Sequence, residues 1–203
     1  MSLHKLRSVI NLYKENANFW NKKRAKNSFF EKVYIDWILQ NVPAESQILD
    51  LGCGTEFPIS NYLLQNKMKV TGVDATSEML EFARKKINSA DWICADMRTL
   101  KLNKTFNAII AWDSFFHLNH EDQKKMMTVF KKHLVQAGVL VFTTGVQYGE
   151  AIRDMNKNPL FHASFSIEEY KTILENSGFT INQLKIEDPN CGFHTVWCCT
   201  KTS

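Results

Sequence analysis

The chain has 203 residues, of which 44% are hydrophobic and 23% are charged, which is the balance of an ordinary globular domain. Its formal net charge of +4 is too mild to indicate nucleic-acid binding, and no apolar run approaches the length of a membrane span. The polar start of the chain does not resemble a signal peptide. We therefore predict a single domain over residues 1–203 with no membrane partner, and the charge disfavours a nucleic acid as partner.

The five cysteines, at positions 53, 94, 191, 198 and 199, are odd in number and contain no Cys-x-x-Cys pair. Most of them fall in predicted strands or in a tight turn, where a free thiol behaves as a small hydrophobic side chain. We therefore predict reduced thiols in a cytoplasmic protein. No spacing of acids and histidines requires a metal ion.

Residues 3–41 are predicted to form helices, because apolar side chains recur there at helical spacing. Aromatic and basic side chains cluster within this region at Tyr13, Phe19, Trp20 and Arg24. The simplest interpretation is that the rings pack the helices onto a sheet, and we favour it for Phe19. For Tyr13 and Trp20 a functional role is equally open.

The apolar run at residues 47–51 breaks into the turn Gly52-Cys53-Gly54, which is typical of a buried parallel strand leading into a helix. Glycines suit such a turn because it must be tight and a ligand must approach bare backbone. A second short strand ends in Asp74, twenty residues beyond Gly54. This spacing places a carboxylate at the neighbouring strand tip, within reach of a ribose diol. We therefore predict a nucleoside-bearing cofactor.

Further along, strands are predicted to end before Asp96 and Asp113, and a helix begins near Asn119 with His133 on its solvated side. Residues 145–165 are predicted to be an irregular substrate loop. The last two strands are joined by too few residues for a crossover helix, so they must pair antiparallel. The fold class is thus α/β, with a doubly wound, mostly parallel, seven-stranded Rossmann-like sheet, a C-terminal antiparallel hairpin and N-terminal helices.

The segments ILDLGCGT, VTGVDATSEMLEFARKK and ADMRTL together resemble the motif set of class I S-adenosylmethionine-dependent methyltransferases. The later segment WDSFFHL is similar to one small, mostly uncharacterised subgroup of that family. The sequence departs from the family pattern at Glu56, where the third motif glycine is expected.

The resemblance implies that S-adenosylmethionine is the cofactor and that residues 1–42 form a helical lid that shields it from water. It implies that the acid at position 96 accepts from the adenine amino group, although a strand-end acid can also serve a turn. The residues expected to contact the cofactor are Tyr13, Trp20, Arg24, Gly52, Gly54, Asp74, Ala75, Met79, Asp96, Met97 and Trp112.

Methyl transfer needs alignment first, and it needs a base if the acceptor is a hydroxyl or thiol. Asp113 and His117 are the predicted catalytic residues, because they follow the carboxyl end of the fourth strand. Three further residues are predicted to contact the small molecule that accepts the methyl group: Glu150, His162 and His194. The methyl group is expected to go to an O, N or S atom of that molecule. Each of these side chains can instead have a structural role, such as a buried hydrogen bond or a turn cap.

Three other functions stay open. A nucleic-acid methyltransferase acting on amino groups would carry an Asn- or Asp-Pro-Pro-aromatic segment after the fourth strand, where this chain has Trp112-Asp113-Ser114-Phe115. A nicotinamide-dependent oxidoreductase would have the third glycine of Gly-x-Gly-x-x-Gly at position 57, where this chain has Phe57. A cofactor-binding protein without catalysis is suggested by Glu56. The acceptor and the oligomeric state are not predicted.

Overall fold

The computed structural model describes residues 3–26, 29–55 and 58–202. For residues 3–8, 25 and 26 it describes the helical backbone but not the side chains. The departure from the family pattern at Glu56 lies outside the described residues.

A seven-stranded sheet forms the centre of the protein, in the order β3-β2-β1-β4-β5-β9-β8. Neighbouring strands from β3 to β5 are parallel, and β9 is antiparallel to both β5 and β8. This confirms the predicted sheet with its C-terminal antiparallel hairpin. The strands are β1 (Gln47–Leu51), β2 (Lys69–Asp74), β3 (Asp91–Cys94), β4 (Phe106–Ala111), β5 (Leu134–Thr144), β8 (Phe179–Asp188) and β9 (His194–Lys201).

Helices cover both faces of this sheet. They are α1 (Leu3–Lys26), α2 (Lys32–Asn41), α3 (Ile59–Gln65), α4 (Ser77–Lys86), α5 (His120–His133) and α6 (Ile167–Asn176). Ile35 and Leu63 belong to the apolar cluster on one face, and Phe130 and Tyr170 belong to the cluster on the other. Because both faces are covered, a ligand can best approach at the strand ends, beside the point where the strand order reverses between β1 and β4.

The prediction of an irregular loop over residues 145–165 is wrong. This segment forms a second, two-stranded sheet of β6 (Gly149–Met155) and β7 (Asn158–Ser164), joined by a turn with positive φ at Asn156 and Lys157. Such a turn matches the twist of a hairpin, but its usual signature is Asn-Gly. Pro159, within β7, also argued against a strand.

Two predicted side-chain environments are also wrong. His133 is fully buried, and its Nε2 accepts from the backbone N–H of Leu102 (3.1 Å) while Nδ1 donates to the carbonyl of Val129 (2.8 Å). These bonds satisfy both ring nitrogens, which allows a histidine on the polar side of a helix to be buried. Phe19, which we expected to be packed, is 37% exposed.

No helix within residues 3–26, 29–55 and 58–202 combines the length and the apolar character that crossing a membrane would require.

Gln123 of α5 joins three parts of the chain at a buried point. Its amide donates to the carbonyls of Leu118 and Ala163, each at 2.9 Å, and its Oε1 accepts from the hydroxyl of Tyr170 at 2.6 Å. The residue is 1% exposed. It therefore ties the β6–β7 hairpin to the segment that follows β4 and to α6.

We expect Gln123→Met to lower the free energy of unfolding by about 1–3 kcal/mol or more, because it removes a donor from two buried carbonyls and the acceptor of the Tyr170 O–H. Denaturant unfolding followed by circular dichroism measures this change. Gln136→Met, at an exposed glutamine on β5, is the matched control and should change stability by less than about 0.5 kcal/mol. Equal stability of the two variants would show that the Gln123 bonds contribute little.

Candidate active site

A cavity lies at the carboxyl ends of β1, β2 and β4, and α1 contributes part of its wall. All of the predicted cofactor residues and both predicted catalytic residues line it. They are Tyr13, Trp20, Arg24, Gly52, Gly54, Asp74, Ala75, Met79, Asp96, Met97, Trp112, Asp113 and His117. Side chains that the sequence placed far apart thus surround one space.

The glycine turn after β1 is held from two sides. The N–H groups of Gly52 and Cys53 both donate to the carbonyl of Val73, at 2.7 and 3.1 Å. Gly52 has a φ of +72°, and a Cβ there would lie 2.3 Å from Cβ of Ser114. Gly52 is therefore required by the close approach of Ser114, whereas Gly54 borders the cavity between Met79 and Trp20.

Asp74, at the end of β2, is fixed by backbone donors. Its Oδ2 accepts from the N–H of Gly54 (3.0 Å) and its Oδ1 from the N–H of Thr76 (2.8 Å). Burial raises the pKa of Asp74, and these backbone hydrogen bonds oppose that rise. Each carboxylate oxygen can accept more than one hydrogen bond, so Asp74 keeps capacity for a ligand hydroxyl.

Asp50 is a cavity residue that the sequence reading missed. It lies on β1, is 3% exposed, and accepts a hydrogen bond from the hydroxyl of Ser60 at 2.7 Å. Burial raises its pKa to about 6, and the nearby charge of Asp74 adds to this rise. The Ser60 hydrogen bond and the charge of Arg24 oppose it. An acid inside an otherwise apolar strand was the signal that could have identified it.

Asp96 is already engaged by a neighbour. The guanidinium and backbone N–H of Arg98 donate to both of its carboxylate oxygens, and Arg98 also reaches Asp122 at 3.3 Å. Although burial raises the pKa of Asp96, these bonds bring it below its usual range. A ligand amino group at Asp96 would have to share the carboxylate with Arg98.

His117 is held as a neutral imidazole of defined tautomer. Its Nδ1 lies 3.0 Å from the carbonyl of Phe161, which can only accept, so Nδ1 carries the proton. Nε2 is then an acceptor, and the hydroxyl of Tyr13 donates to it at 2.9 Å. Burial lowers the pKa of His117, and burial together with the charges of Asp113 and Asp74 raises that of Tyr13. At neutral pH the pair is therefore an uncharged base nitrogen and a phenol.

Asp113 is held by both its backbone and its side chain. Its φ of +49° is unusual for a residue with a side chain, and its N–H donates to the hydroxyl of Thr143 at 3.0 Å. Its Oδ1 lies 2.7 Å from Nε2 of His194. His194 is not among the residues that line the cavity, so it stands behind Asp113.

The other two predicted substrate residues also lie outside the cavity lining. The ring of His162 lies 4.8 Å from that of His117 and 4.6 Å from that of Phe116. Burial, followed by nearby positive charge, lowers the pKa of His162 to about 3, so it is neutral. Glu150 is on the exposed side of β6.

Three buried polar atoms in the cavity wall, Oγ1 of Thr55, Nε1 of Trp112 and Oδ1 of Asp113, make no hydrogen bond among the described residues, although the last is in ion-pair contact with His194. Buried polar groups are rarely left in this state, so the cavity suits a ligand with polar atoms. Within the same described ranges, no three His, Cys, Asp or Glu side chains form a group that could hold a metal ion.

Residues 48–138 match a sequence profile described as a methyltransferase domain. The chain is 34% identical over 106 residues to the malonyl-acyl-carrier-protein O-methyltransferase of Priestia megaterium, covering 49% of this chain and 37% of that protein. It is 28% identical over 108 residues to the dTDP-3-amino-3,4,6-trideoxy-alpha-D-glucopyranose N,N-dimethyltransferase of Streptomyces venezuelae, covering 52% and 45%. The chain thus spans less than half the length of these relatives.

Among solved structures, the fold is similar to the 1,6-didemethyltoxoflavin-N1-methyltransferase of Burkholderia thailandensis, which contains 1,6-didemethyltoxoflavin and S-adenosylhomocysteine. The TM-score is 0.77 at 15% identity, over 100% of this chain and 92% of that one. The matched profile, the relatives and the sheet order agree with the motifs read from the sequence. Residues 48–138 are thus similar to a methyltransferase domain, and the fold is that of the solved S-adenosylmethionine-dependent methyltransferases.

Proposed function

We propose that this chain transfers the methyl group of S-adenosylmethionine to an O, N or S atom of a small-molecule acceptor. The observation that carries the proposal is that every residue selected for cofactor binding from the sequence lines one cavity, beside the two selected for catalysis. The relatives named above methylate small or carrier-bound substrates by their names, which supports this class of acceptor. The five cysteines are all reduced, which suits a reducing compartment, so we place the activity in the cytoplasm.

The residues in the cavity fit the chemical groups of this cofactor. Asp74, with lone pairs left on both oxygens, would accept hydrogen bonds from the ribose hydroxyls. The backbone at Gly54 would lie beside the methionine part of the cofactor. Arg24 offers a guanidinium for the carboxylate of the amino-acid end. Asp96 and Met97 would meet the adenine, with Asp96 oriented by Arg98.

Helix α1 supports a small acceptor rather than a nucleic acid. Its residues Val9, Ile10, Tyr13, Trp20 and Arg24 form one wall of the cavity. Val9 also packs against the β6–β7 hairpin in a separate apolar cluster. We propose that this helix is the lid of the site, because a wall of this kind excludes water and leaves room only for a compact acceptor.

When bound, the cofactor supplies a methyl group on a sulfonium, which an aligned nucleophile can displace in line. Holding the acceptor in this line can contribute roughly 7–11 kcal/mol, so the protein acts mainly through position. A hydroxyl or thiol acceptor must also lose a proton. Nε2 of His117 is suited to take it through the Tyr13 hydroxyl, which donates to that nitrogen and would accept the acceptor's proton as it passes its own on, because Nδ1–H is anchored to Phe161 and burial keeps the ring neutral. Asp113 is the alternative base.

We expect Asp74→Ala to weaken S-adenosylmethionine binding by about 1.5–3 kcal/mol, which corresponds to about 10- to 150-fold in Kd. The reason is the loss of a charged acceptor for two hydroxyls. Isothermal titration calorimetry measures the change. Asp91→Ala, at the exposed acid that begins β3, is the matched control and should bind normally. Unchanged affinity in Asp74→Ala, or binding of NAD in place of S-adenosylmethionine, would overturn the assignment.

We expect His117→Ala to lower kcat by about 10²–10⁴-fold towards a hydroxyl or thiol acceptor, with little change in cofactor affinity. Because the pKa of His117 is lowered, its base form is present above that pKa, and on the acid side turnover should fall as the pH drops through it. Labelled cofactor and a panel of small O-, N- and S-acceptors provide the assay.

Asp113→Asn is compared with His117→Ala in the same assay, since each residue is a candidate base. If both variants keep full turnover while binding the cofactor normally, neither is the base and transfer depends on proximity alone.

A further inference from the structure

Four charged side chains of alternating sign lie along the cavity and beneath it. The guanidinium of Arg24 donates to the carboxylate of Glu31, which is fully buried at the start of α2. The charge of Glu31 in turn favours protonation of His194, and Nε2 of His194 lies 2.7 Å from Oδ1 of Asp113. Arg24 and Asp113, at the two ends, line the cavity, whereas Glu31 and His194 do not.

The contacts of His194 define its protonation state. Its Nδ1 lies 2.6 Å from the carbonyl of Cys191, which can only accept, so Nδ1 carries a proton. A neutral ring would then place an unprotonated Nε2 2.7 Å from a carboxylate oxygen, and two electron-rich atoms at this distance repel each other. The contact therefore favours a second proton on Nε2, and the pair is an imidazolium in ion-pair contact with a carboxylate, although Oδ1 of Asp113 accepts no aligned hydrogen bond among the described residues.

The surroundings of His194 strengthen this pair. The ring stacks on Phe30, with centroids 5.6 Å apart and planes at 25°, and it lies 5.7 Å from Trp112. Apolar rings lower the local dielectric, so the attraction between the charges is stronger than in water.

The titratable groups that act on His194 favour its charged form. They are the carboxylates of Asp113 and Glu31, and burial opposes them. The thiol of Cys191, three residues earlier, has a pKa raised to about 12 by burial and then by nearby acids, so it stays neutral. The balance raises the pKa of His194 above its ordinary value.

We propose that His194 is a positioning residue that, as an imidazolium, holds the carboxylate of Asp113 at the cavity edge. Glu31 links this pair electrostatically to Arg24, because its carboxylate acts on His194 and also pairs with the Arg24 guanidinium. His194 occupies the Oδ1 side of Asp113, which leaves Oδ2 as the oxygen for a hydrogen-bond donor in the cavity. The inference that Asp113 receives the acceptor or the cofactor in this way rests on the proposed function.

The protonation of His194 can be measured without any substrate. Long-range ¹H–¹⁵N spectra of the imidazole rings, recorded through neutral and alkaline pH, should show both nitrogens of His194 protonated at neutral pH. Asp113→Asn should lower the proton affinity of His194 on the order of tenfold or more, since it removes the carboxylate charge. Titration of His194 near 6.5 in both proteins would overturn the proposal, and this result would say nothing about the methyltransferase activity.

The role of the pair in turnover is tested with His194→Gln. This variant keeps an amide donor but cannot carry a charge, and we expect kcat to fall on the order of ten- to a hundredfold with the cofactor Kd unchanged. Because the pKa of His194 is raised, the pair is intact below that pKa and is lost as pH rises through it. The wild-type rate should therefore decline on the alkaline side, and this decline should be absent in His194→Gln.

His120→Gln is the matched control, because the ring of His120 bonds the carbonyl of Ser164 and has no place in the cavity wall. This variant should keep both the rate and the alkaline decline. A wild-type rate that is flat at alkaline pH, or an identical decline in His194→Gln, would overturn the positioning role. Normal cofactor affinity in these variants would leave the proposed function standing.

Discussion

The arrangement of this site depends on the burial of carboxylates at the carboxyl ends of parallel strands. Asp50 and Asp74 lie on adjacent strands beside one tight turn, and each is stabilised by a few donors, Ser60 for the first and two backbone N–H groups for the second. Such groups are costly to bury unless hydrogen bonds or positive charges compensate them. The glycine turn makes this compensation possible, because it brings the backbone N–H of Gly54 to Asp74.

The same constraint explains the cations around the cavity. Arg24 of α1 acts on Asp50, Arg98 holds both carboxylate oxygens of Asp96, and His194 contacts Asp113. Asp50 and Asp113 are therefore balanced by cations from distant segments of the chain, whereas Asp96 is balanced by a residue of its own turn. Because the partners come from α1, from the turn after β3 and from β9, the site is complete only when the whole domain has folded.

The sequence predicted the parts of this arrangement that have a local pattern. Two strands rich in branched residues, the glycine turn and the acid twenty residues later each have a recognisable sequence pattern. The sheet and the residues near the reversal of its strand order were therefore identified. Asp50 was missed because it looked like part of an apolar strand, and the β6–β7 hairpin was missed because its turn is Asn-Lys and β7 contains Pro159. The pairing of Asp113 with His194 had no local signature, since strand order, rather than spacing, brings these residues together.

The central claim is that the cavity beside Asp74 binds S-adenosylmethionine. A crystal structure grown with S-adenosylhomocysteine tests it most directly. We predict ligand density along the glycine turn, with both ribose hydroxyls within hydrogen-bond distance of the Asp74 carboxylate and the sulfur facing the side of the cavity that contains Asp113 and His117. Density elsewhere on the protein, or ribose hydroxyls that do not reach Asp74, would contradict the account.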